Sequence, residues 1–258
     1  MIVRESFFDV PQVTLKTSAG EAPFPILYYD ATALLLFYWC DPEPARALLE
    51  GTGLAPIRFF NGKALAGMGW YEYRKTDIGP YNEVGLAVAA APEGRLPRLP
   101  LMQFLRQSAS RVLGFYIIDL PVTTDIACAA GREMWGYPKF VTQIPFEIRD
   151  GKVSAAVLHP ESGEPIVRLS GQLRHCLAVP GFNLVLYSNL ENALLRTEVV
   201  TTGTVQTALR PGLRVETGPA SHPMAEHVRQ LGIDGSEPFA CQFTSHFRSR
   251  LYLGQKVE

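Results

Sequence analysis

The stretch Gly131-Arg-Glu-Met-Trp-Gly-Tyr-Pro-Lys-Phe140 lies near the middle of this 258-residue chain and joins a predicted helix to a predicted strand. Its lysine, Lys139, follows two aromatic residues and a proline and precedes Phe140 and Val141, so its local sequence is apolar. Lysine is scarce in this chain, and the other lysines stand beside turn or charged residues, where a solvated amine is expected. Lys139 therefore calls for a chemical explanation.

A lysine attacks a carbonyl only as the neutral amine, and its ordinary pKa of about 10.4 leaves roughly 0.04% of it neutral at pH 7. Burial among apolar groups lowers that pKa, because the ammonium loses its hydration. Lys139 is thus a candidate Schiff-base nucleophile. The alternative is a lysine that buries its stem and extends its charge into water, which is the commoner arrangement.

On both sides of this stretch the chain is rich in β-branched and aromatic residues separated by turn residues, which is typical of short strands. Asp150-Gly151, between two such runs, predicts a two-residue hairpin. Strands are predicted at residues 26–39, 63–73, 84–90, 115–120, 140–149, 152–158, 165–176, 183–189, 199–209, 213–217 and 239–253.

Four short helices are predicted from capping residues and from the spacing of apolar residues. They cover residues 41–50, 102–113, 124–130 and 222–231. The third is expected to stop at Gly131, since glycine commonly ends helices. Because the strands follow one another without long helices between them, an antiparallel barrel or sandwich is favoured over a doubly wound parallel sheet. The prediction is a mainly β fold with peripheral α-helices, in a single domain over residues 1–258.

Composition and charge exclude several classes of protein. The formal net charge is −1 and no basic block exists, so nucleic acid and anionic membranes are not expected as partners. The longest apolar run, at 31–39, is far shorter than the roughly 20 residues that span a bilayer. The early residues contain acids and no apolar run typical of a signal peptide. We therefore expect a soluble cytoplasmic protein.

The remaining candidate ligands and nucleophiles form no known motif. Four cysteines stand far apart without a C-x-x-C pair, which favours buried thiols over disulfides. His222 and His227 are five residues apart, which does not place two ligands on one helix face. No zinc pattern, dinucleotide or phosphate loop, or serine elbow is present. Neither a metal nor a cofactor is expected.

Two motifs carry a family resemblance. Gly131-Arg132-Glu133-Met134 followed by Tyr137-Pro138-Lys139 closely resembles the active-site signature of acetoacetate decarboxylases. The lysine after Tyr-Pro forms the imine with substrate in that family, so the resemblance implies this role for Lys139. It also implies an acetoacetate-decarboxylase-like, largely antiparallel β-barrel fold, assembly into homo-oligomers and a small oxo-acid substrate.

The second motif is Asp77-Ile-Gly-Pro-Tyr-Asn-Glu83, which resembles the segment that carries the family's active-site glutamate. The resemblance implies that Glu83 positions the substrate or moves protons. From its local sequence alone, Glu83 would belong to a polar turn before a strand. A carboxyl group in an apolar pocket has a raised pKa and can transfer protons near neutrality.

The chain departs from the family pattern at three positions. A second lysine follows the catalytic one in the prototypic enzyme, where this chain has Phe140. Burial, instead of an adjacent cation, must then lower the pKa of Lys139. The family's N-terminal active-site arginine aligns near Ala31, and a further acidic residue aligns near Met68, with Glu72 a few residues away.

The pocket walls are expected to come from residues beside these motifs. Trp135 and Tyr137 would exclude water from the pocket, or else belong to the core. Arg132 would pair with its neighbour Glu133 to hold the turn, or would bind the substrate carboxylate. Further substrate-binding positions are expected at Phe140 and Met68.

Three functions are compatible with this set of residues. The first is a Schiff-base lyase that decarboxylates a small β-keto acid, such as acetoacetate, to a ketone and carbon dioxide. The second is an aldolase, dehydratase or cyclase that uses Lys139 on a pyruvate-like acid, since the same imine supports these reactions. The third is a barrel that binds a small carbonyl or apolar ligand without turnover, because of the departures at Phe140, Ala31 and Met68.

Overall fold

Strands dominate the structure, a computed structural model that describes residues 6–103, 106–174, 177–181 and 183–257. The described strands are β1 (Val13–Thr17), β2 (Gly20–Phe24), β3 (Ile26–Cys40), β4 (Leu54–Pro56), β5 (Ala64–Thr76), β6 (Tyr81–Pro92), β7 (Gly114–Asp119), β8 (Phe146–Arg149), β9 (Lys152–Leu158), β10 (Pro165–Gln172), β11 (Leu177–Pro180), β12 (Leu184–Leu190), β13 (Ala193–Thr202), β14 (Thr204–Leu209), β15 (Leu213–Thr217), β16 (Ala240–Leu251) and β17 (Gln255–Lys256). The described α-helices are α1 (Pro42–Leu48), α2 (Pro100–Gln103), α3 (Asp125–Trp135) and α4 (Pro223–Gln230), with 3-10 turns at Ser6–Phe8 and Ser108–Ser110.

Seven strands close into a barrel. In order around it they are β16, β3, β5, β6, β7, β12 and β13, and β13 pairs back with β16. All neighbours are antiparallel except β7 and β12, which are parallel. Closure gives every strand of the ring two hydrogen-bonded neighbours over part of its length. The predicted mainly β, antiparallel barrel with peripheral helices is confirmed, with this one parallel pair as an addition.

The two faces of the barrel strands pack into two separate cores, because alternate residues of a strand point to opposite faces. Tyr73 and Phe115 belong to the inner cluster, which Trp135 of α3 joins. Leu36 and Leu86 belong to the outer cluster, which packs against a second sheet in the order β15-β10-β9-β8 and against α1 and α4. Among the described residues, no helix is both long enough and apolar enough to cross a membrane.

One helix prediction is wrong, and another helix ends later than predicted. Of 102–113, the described residues form only the end of α2 and a 3-10 turn, and residues 104 and 105 lie outside the described part. In this segment the Arg111 guanidinium donates hydrogen bonds to the carbonyls of Gln103, Arg106 and Asn183. The carbonyls of Gln103 and Arg106 are thus hydrogen-bonded without forming a helix. The helix predicted to stop at Gly131 continues to Trp135, as the next section describes.

Strand predictions fail mainly where the backbone forms hydrogen bonds outside a strand ladder or where a glycine turns the chain. Of 140–149 only β8 is a strand, because the backbone at Phe140 and Thr142 bonds instead to Val122. The strand predicted at 199–209 is divided into β13 and β14 by Gly203, whose φ of 100° turns the chain. The strand predicted at 165–176 ends at Gln172, and residues 175 and 176 lie outside the described part. Strands β1, β2, β4, β11 and β17 were not predicted.

Several local predictions are confirmed. Asp150 and Gly151, with φ of 52° and 76°, form the predicted hairpin turn between β8 and β9. Helix α4 begins after His222, whose ring nitrogen accepts the Met224 amide. Cys40 is a buried thiol, as predicted, and burial raises its pKa to about 12.

A histidine on α4 fastens this helix to the barrel. His227 Nδ1 lies 2.8 Å from Oδ2 of Asp119, at the end of β7. This hydrogen bond raises the pKa of His227 above its ordinary 6.5, although partial burial opposes the shift. At the N-cap of the same helix, burial lowers the pKa of His222. The charged form of His227 is therefore favoured by folding, and the charged form of His222 is disfavoured.

The His227–Asp119 contact predicts a pH-dependent effect of His227→Gln. A raised pKa in the folded state stabilises the protein fully below about pH 6.5, and the contribution disappears as the pH rises through the raised value. His227→Gln should therefore lower Tm by about 1–3 °C more at pH 5.5 than at pH 8.5. The exposed His246, changed to Gln, is the matched control. Equal losses for His227→Gln at both pH values would contradict the prediction.

Candidate active site

The end of α3 sets the position of Lys139. Gly136 ends the helix with φ of 68°, and the amides of Gly136 and Tyr137 donate to the carbonyls of Arg132 and Gly131. A Cβ at residue 136 would lie 2.0 Å from the Asn189 carbonyl oxygen, so the position needs glycine for both its space and its conformation. The chain then turns sharply, and Lys139 follows directly.

The turn itself is a γ-turn centred on Pro138. The Lys139 amide donates to the Tyr137 carbonyl at 2.8 Å, a bond between residues two apart. The fixed φ of proline suits this turn. The Tyr-Pro-Lys order thus reverses the chain at the barrel wall, which directs the lysine side chain inward to the cavity.

A short connector brings Lys139 to Glu83. The Val84 amide donates to the Pro121 carbonyl, so the chain after β7 runs beside the start of β6. On its other side, Val122 exchanges backbone hydrogen bonds with Phe140 and Thr142. The connector therefore lies between the glutamate strand and the lysine segment and fixes their separation.

Lys139 Nζ lies 2.6 Å from Glu83 Oε2, and this contact is the centre of the site. The two side chains are 7% and 11% exposed. Taking both charges out of water costs on the order of several kcal/mol per ion, and close pairing offsets part of that cost. A buried acid–base pair of this kind is a characteristic arrangement of functional sites.

Tyrosines surround the pair. Tyr73 Oη donates to Glu83 Oε1 at 3.4 Å, and the hydroxyls of Tyr28 and Tyr81 lie 3.0 Å apart. Lys139 Nζ lies 5.9 Å from the centre of the Tyr81 ring. Burial, and after it the charge of Glu83, raises the pKa of Tyr73, while burial and the neighbouring Tyr28 raise that of Tyr81. The hydroxyls therefore stay protonated and serve as hydrogen-bond donors.

Gly131 allows the Lys139 stem to lie against α3. A Cβ at residue 131 would be 2.4 Å from both Cδ and Cε of Lys139. Since nothing wider than glycine fits there, the lysine methylenes rest directly on the helix backbone. This explains why the glycine lies inside α3 and does not end it.

The pair faces an apolar cavity of about 110 Å³ inside the barrel. Among the described residues that line it, Lys139 and Glu83 are the only charged ones. The remaining lining residues are Tyr28, Leu35, Leu36, Phe37, Gly67, Met68, Gly69, Tyr71, Tyr73, Gly85, Ala87, Phe115, Ile117, Leu120, Tyr137, Leu184, Leu186, Val199, Phe247, Ser249 and Leu251. Such a wall suits a ligand with an apolar body and one reactive polar group.

Of the two aromatic residues expected to wall the pocket, the structure places one there. Tyr137 lines the cavity, and burial raises the pKa of its hydroxyl. Trp135 lies behind it, with the two rings stacked at 5.7 Å, and its Nε1 donates to the Tyr252 carbonyl. Trp135 is therefore a core residue that supports Tyr137.

Arg132 and Glu133 do not form the predicted pair. Both are exposed, and Arg132 lies outside the cavity wall. Glu133 instead accepts hydrogen bonds from the Ser18 amide and hydroxyl, which ties α3 to the turn between β1 and β2. Helical geometry explains the error, because Gly131 and Trp135 share the buried face of α3 and these neighbours lie on the other.

Phe140 and Met68 point mainly to the outer core. Phe140 packs on the outer cluster, with its ring 4.8 Å from that of His222. Met68 borders the cavity, but its side chain packs with its strand neighbours Leu36 and Leu86. Both orientations follow from the alternation of side chains along an extended chain. The inward positions belong to the immediate neighbours, which are Lys139 beside Phe140, and Gly67 and Gly69 beside Met68.

The two positions aligned with missing family residues also differ in their surroundings. Ala31 is buried inside the barrel beside Tyr73, its pairing partner on β5. Glu72 forms an ion pair with Arg74 and accepts the Thr32 hydroxyl, on the face opposite the cavity. Glu72 therefore does not supply the acid expected near Met68.

The tyrosines around Glu83 were not recognised in the sequence. The sequence pattern that indicates them is a spacing of two residues, between Tyr71 and Tyr73 and between Tyr81 and Glu83. Tyr71 pairs with Glu83 across β5 and β6, and Tyr73 pairs with Tyr81. In a barrel such positions point inward together. As for metals, the described residues contain no group of three His, Cys, Asp or Glu side chains that could hold one.

Known proteins share this architecture. The sequence model of a family described as acetoacetate decarboxylase (ADC) matches residues 9–228. No curated protein matches the sequence. Acetoacetate decarboxylase from Legionella pneumophila subsp. pneumophila str. Philadelphia 1 superposes with a TM-score of 0.65 at 15% identity, over 97% of this chain and 92% of its own.

Two further solved structures are similar. An acetoacetate decarboxylase-like enzyme from Sphingomonas wittichii RW1 gives a TM-score of 0.60 at 15% identity, over 90% of this chain and 92% of its own. The enduracididine biosynthesis enzyme MppR, in complex with the condensation product of pyruvate and imidazole 4-carboxaldehyde, gives 0.61 at 15% identity, over 90% and 89%. At these identities the likeness shows a shared fold, and it confirms the fold that the resemblance implies.

The contact between Gly131 and Lys139 predicts an unusual effect of Gly131→Ala. In an exposed helix interior this change stabilises by about 1 kcal/mol. Here the new methyl group would collide with the lysine stem, so the free energy of unfolding should fall by roughly 1–3 kcal/mol, as measured by urea unfolding.

The control is the same change in a Lys139→Ala background. There the colliding stem is absent, so Gly131→Ala should be neutral or stabilising. The double-mutant cycle then gives a coupling between the two residues. Equal effects of Gly131→Ala in both backgrounds would show that the helix backbone does not hold the lysine.

Proposed function

Since this chain belongs to the acetoacetate decarboxylase family, we propose that it is a lysine-dependent lyase that removes carbon dioxide from a β-keto acid through a Schiff base on Lys139. The observation that carries the proposal is the buried contact of 2.6 Å between Lys139 Nζ and Glu83 Oε2 at the wall of an apolar cavity. It supplies a nucleophile, a proton acceptor and a water-poor site in one place.

The first step needs the neutral amine. Within the hydrogen bond, a proton passes from Lys139 Nζ to Glu83 Oε2, which leaves an amine with a free electron pair and a carboxylic acid. No charge moves into or out of the cavity in this transfer. The amine then attacks the ketone carbon of the substrate, and Glu83 returns the proton to the departing hydroxyl, so that water leaves and a protonated imine remains.

The second step uses the imine as an electron sink. The bond between the α-carbon and the carboxylate breaks, carbon dioxide leaves, and the electron pair moves toward the imine nitrogen to give a neutral enamine. Protonation of the enamine carbon, followed by hydrolysis of the imine, releases the ketone and restores Lys139. Glu83 is the nearest charged group that can deliver these protons.

The apolar wall supports decarboxylation over reactions that keep the carboxylate. An ionised carboxylate in the cavity would face no cation other than the imine itself, among the described lining residues. Burying an unpaired charge is costly, and loss of carbon dioxide removes that charge. The site thus favours the product over the substrate acid electrostatically.

Tyrosine hydroxyls complete the polar part of the site. Tyr73 Oη donates to Glu83 Oε1 and holds the carboxyl group with its other oxygen toward Lys139. The Tyr137 hydroxyl lies near that of Thr197 without a well-aligned hydrogen bond between them. We assign it as a donor to the substrate oxygen, since an unsatisfied buried donor gains most from a ligand.

A second candidate is an aldolase or dehydratase that acts on a pyruvate-like acid through the same lysine. The structural neighbour MppR, which was solved with a pyruvate condensation product, favours this alternative. Its weakness in this chain is the retained carboxylate, which would need a cationic partner in the cavity. A third possibility, ligand binding without turnover, is an outcome of the experiment below.

Reductive trapping tests the Schiff base. Incubation with acetoacetate and borohydride should add the reduced substrate or product to Lys139, as seen by intact mass and peptide mapping. Lys139→Ala should lose the adduct because no other amine lines the cavity among the described residues. Lys63→Ala, which removes an exposed lysine paired with Asp41, is the matched control and should keep it.

The same reaction mixtures separate the alternatives. Release of carbon dioxide from acetoacetate supports the lyase. An adduct with pyruvate but no carbon dioxide from any β-keto acid would favour the aldolase or dehydratase. An absence of adducts with every oxo acid would refute both enzyme functions and leave ligand binding.

Glu83 should contribute to the rate and not only to stability. Glu83→Gln keeps the shape but cannot exchange a proton, so kcat should fall by about 10²–10⁴-fold. The control is Glu72→Gln, which removes a carboxylate on the opposite face of β5 and should change kcat less than about twofold. Unchanged kcat in Glu83→Gln would remove Glu83 from the mechanism.

A further inference from the structure

The substrate carboxylate needs a partner in a cavity whose described wall offers no cation besides Lys139. We propose that Tyr28 binds this carboxylate through its hydroxyl proton, together with Tyr137, and that Tyr81 positions the Tyr28 hydroxyl. The inference rests on the proposed lyase function and specifies how the acid is recognised. It is carried by the count of donors and acceptors at the contact between Tyr28 and Tyr81.

Among the described residues, only Tyr28 can accept the hydroxyl proton of Tyr81. The two hydroxyl oxygens lie 3.0 Å apart, and distance alone would allow either to be the donor. Tyr81 is 4% exposed and is not part of the cavity wall, so neither bulk water nor a ligand in the cavity offers it another acceptor. A buried hydroxyl that does not donate is costly. Tyr81 therefore donates and Tyr28 accepts.

The direction of this hydrogen bond leaves the Tyr28 proton available to a ligand. Tyr28 lines the cavity, and Tyr81 is the one hydrogen-bond partner of its hydroxyl among the described residues. A tyrosine hydroxyl can accept one hydrogen bond and donate another at the same time. Donation from Tyr81 also polarises the Tyr28 hydroxyl, which strengthens the bond that Tyr28 itself donates.

Tyr28 lies at the reactive end of the cavity. Its ring is 4.6 Å from that of Tyr73, whose hydroxyl donates to Glu83 at 3.4 Å. Burial, and after it the charge of Glu83, raises the pKa of Tyr28, and the neighbouring Tyr137 acts in the same direction. The hydrogen bond from Tyr81 opposes the shift without reversing it. Tyr28 and Tyr137 are thus two neutral donors on the wall near the reactive pair.

The third tyrosine of the cavity wall, Tyr71, is directed elsewhere. Its ring lies over Gly69, where a Cβ would be 2.9 Å from the Tyr71 hydroxyl oxygen. Gly69 pairs with Gly85, the next inward pair after Tyr71 and Glu83. The Tyr71 hydroxyl therefore extends along β5 beside these glycines.

Two hydroxyl donors suit a carboxylate that has to leave as carbon dioxide. A carboxylate has two acceptor oxygens, so each donor can bind one of them. A hydrogen bond to a charged acceptor raises affinity by about 10- to 100-fold. The negative charge leaves the carboxylate as the carbon–carbon bond breaks, so these bonds do not strengthen in the transition state. The two donors therefore act on substrate binding and hardly on the chemical step.

Tyr28→Phe removes the donor and keeps the ring. With acetoacetate, followed by carbon dioxide release, KM should rise by about 10- to 100-fold while kcat changes less than about threefold. The inhibition constant of acetone, which has the ketone but no carboxylate, should change less than about twofold. Tyr81→Phe should raise KM in the same pattern by about two- to fivefold, and it takes the place of Tyr28→Phe if that variant fails to fold.

Tyr38→Phe is the matched control. Tyr38 lies on the same strand, β3, but packs in the outer cluster, and its buried hydroxyl has no hydrogen-bond partner among the described residues. Its removal should leave KM, kcat and acetone inhibition unchanged. An unchanged KM in Tyr28→Phe, a loss confined to kcat, or equal losses for acetoacetate and acetone would overturn the carboxylate site.

Failure of the lyase gives a different result from failure of this inference. Adducts on Lys139 together with unchanged kinetics in Tyr28→Phe keep the lyase and remove Tyr28 from substrate binding. If no oxo acid forms an adduct, calorimetry with butyrate and butan-2-one tests the recognition without imine chemistry. Weaker binding of butyrate alone in Tyr28→Phe supports the carboxylate site. Equal binding by both proteins, equal losses for both ligands, or no binding of butyrate to the wild-type protein overturns it.

Discussion

The structure depends on keeping a lysine and a glutamate in contact where water is scarce. Each charge would be costly in that place alone, and removing either partner from a buried pair is strongly destabilising. The contact at 2.6 Å between Lys139 and Glu83 therefore constrains everything that positions them. Position is supplied by the backbone, through the connector at Val122 and the γ-turn at Pro138, and not by flexible side chains.

The barrel separates this reactive contact from the parts that stabilise the fold. Inward positions of its strands hold the cavity and the tyrosines, while outward positions pack against the second sheet and α4. Cavity-facing residues can therefore change without disturbing the outer core. The Phe140 position illustrates the division, since its ring belongs to the outer core although its neighbour Lys139 lines the cavity.

Sequence patterns predicted much of this arrangement, and physical reasons account for the rest. Runs of β-branched and aromatic residues between turn residues located most strands, and the two motifs identified Lys139 and Glu83, which the structure brings into contact. Whether a side chain faces the cavity or the outer core was harder to predict than the strand itself. Arg132 and Phe140 were expected at the pocket, but helix phase and strand alternation turn them away. The tyrosine cluster needed strand register, which depends on pairings between distant segments.

The parallel contact between β7 and β12 bears on how the chain folds. The connector, α3, Lys139 and most of the second sheet all lie between these two strands in sequence. Joining the strands thus closes a long loop, and non-local pairings of this kind carry the largest entropic cost and slow folding. The ring therefore closes around an inserted segment that carries both Lys139 and most of the second sheet.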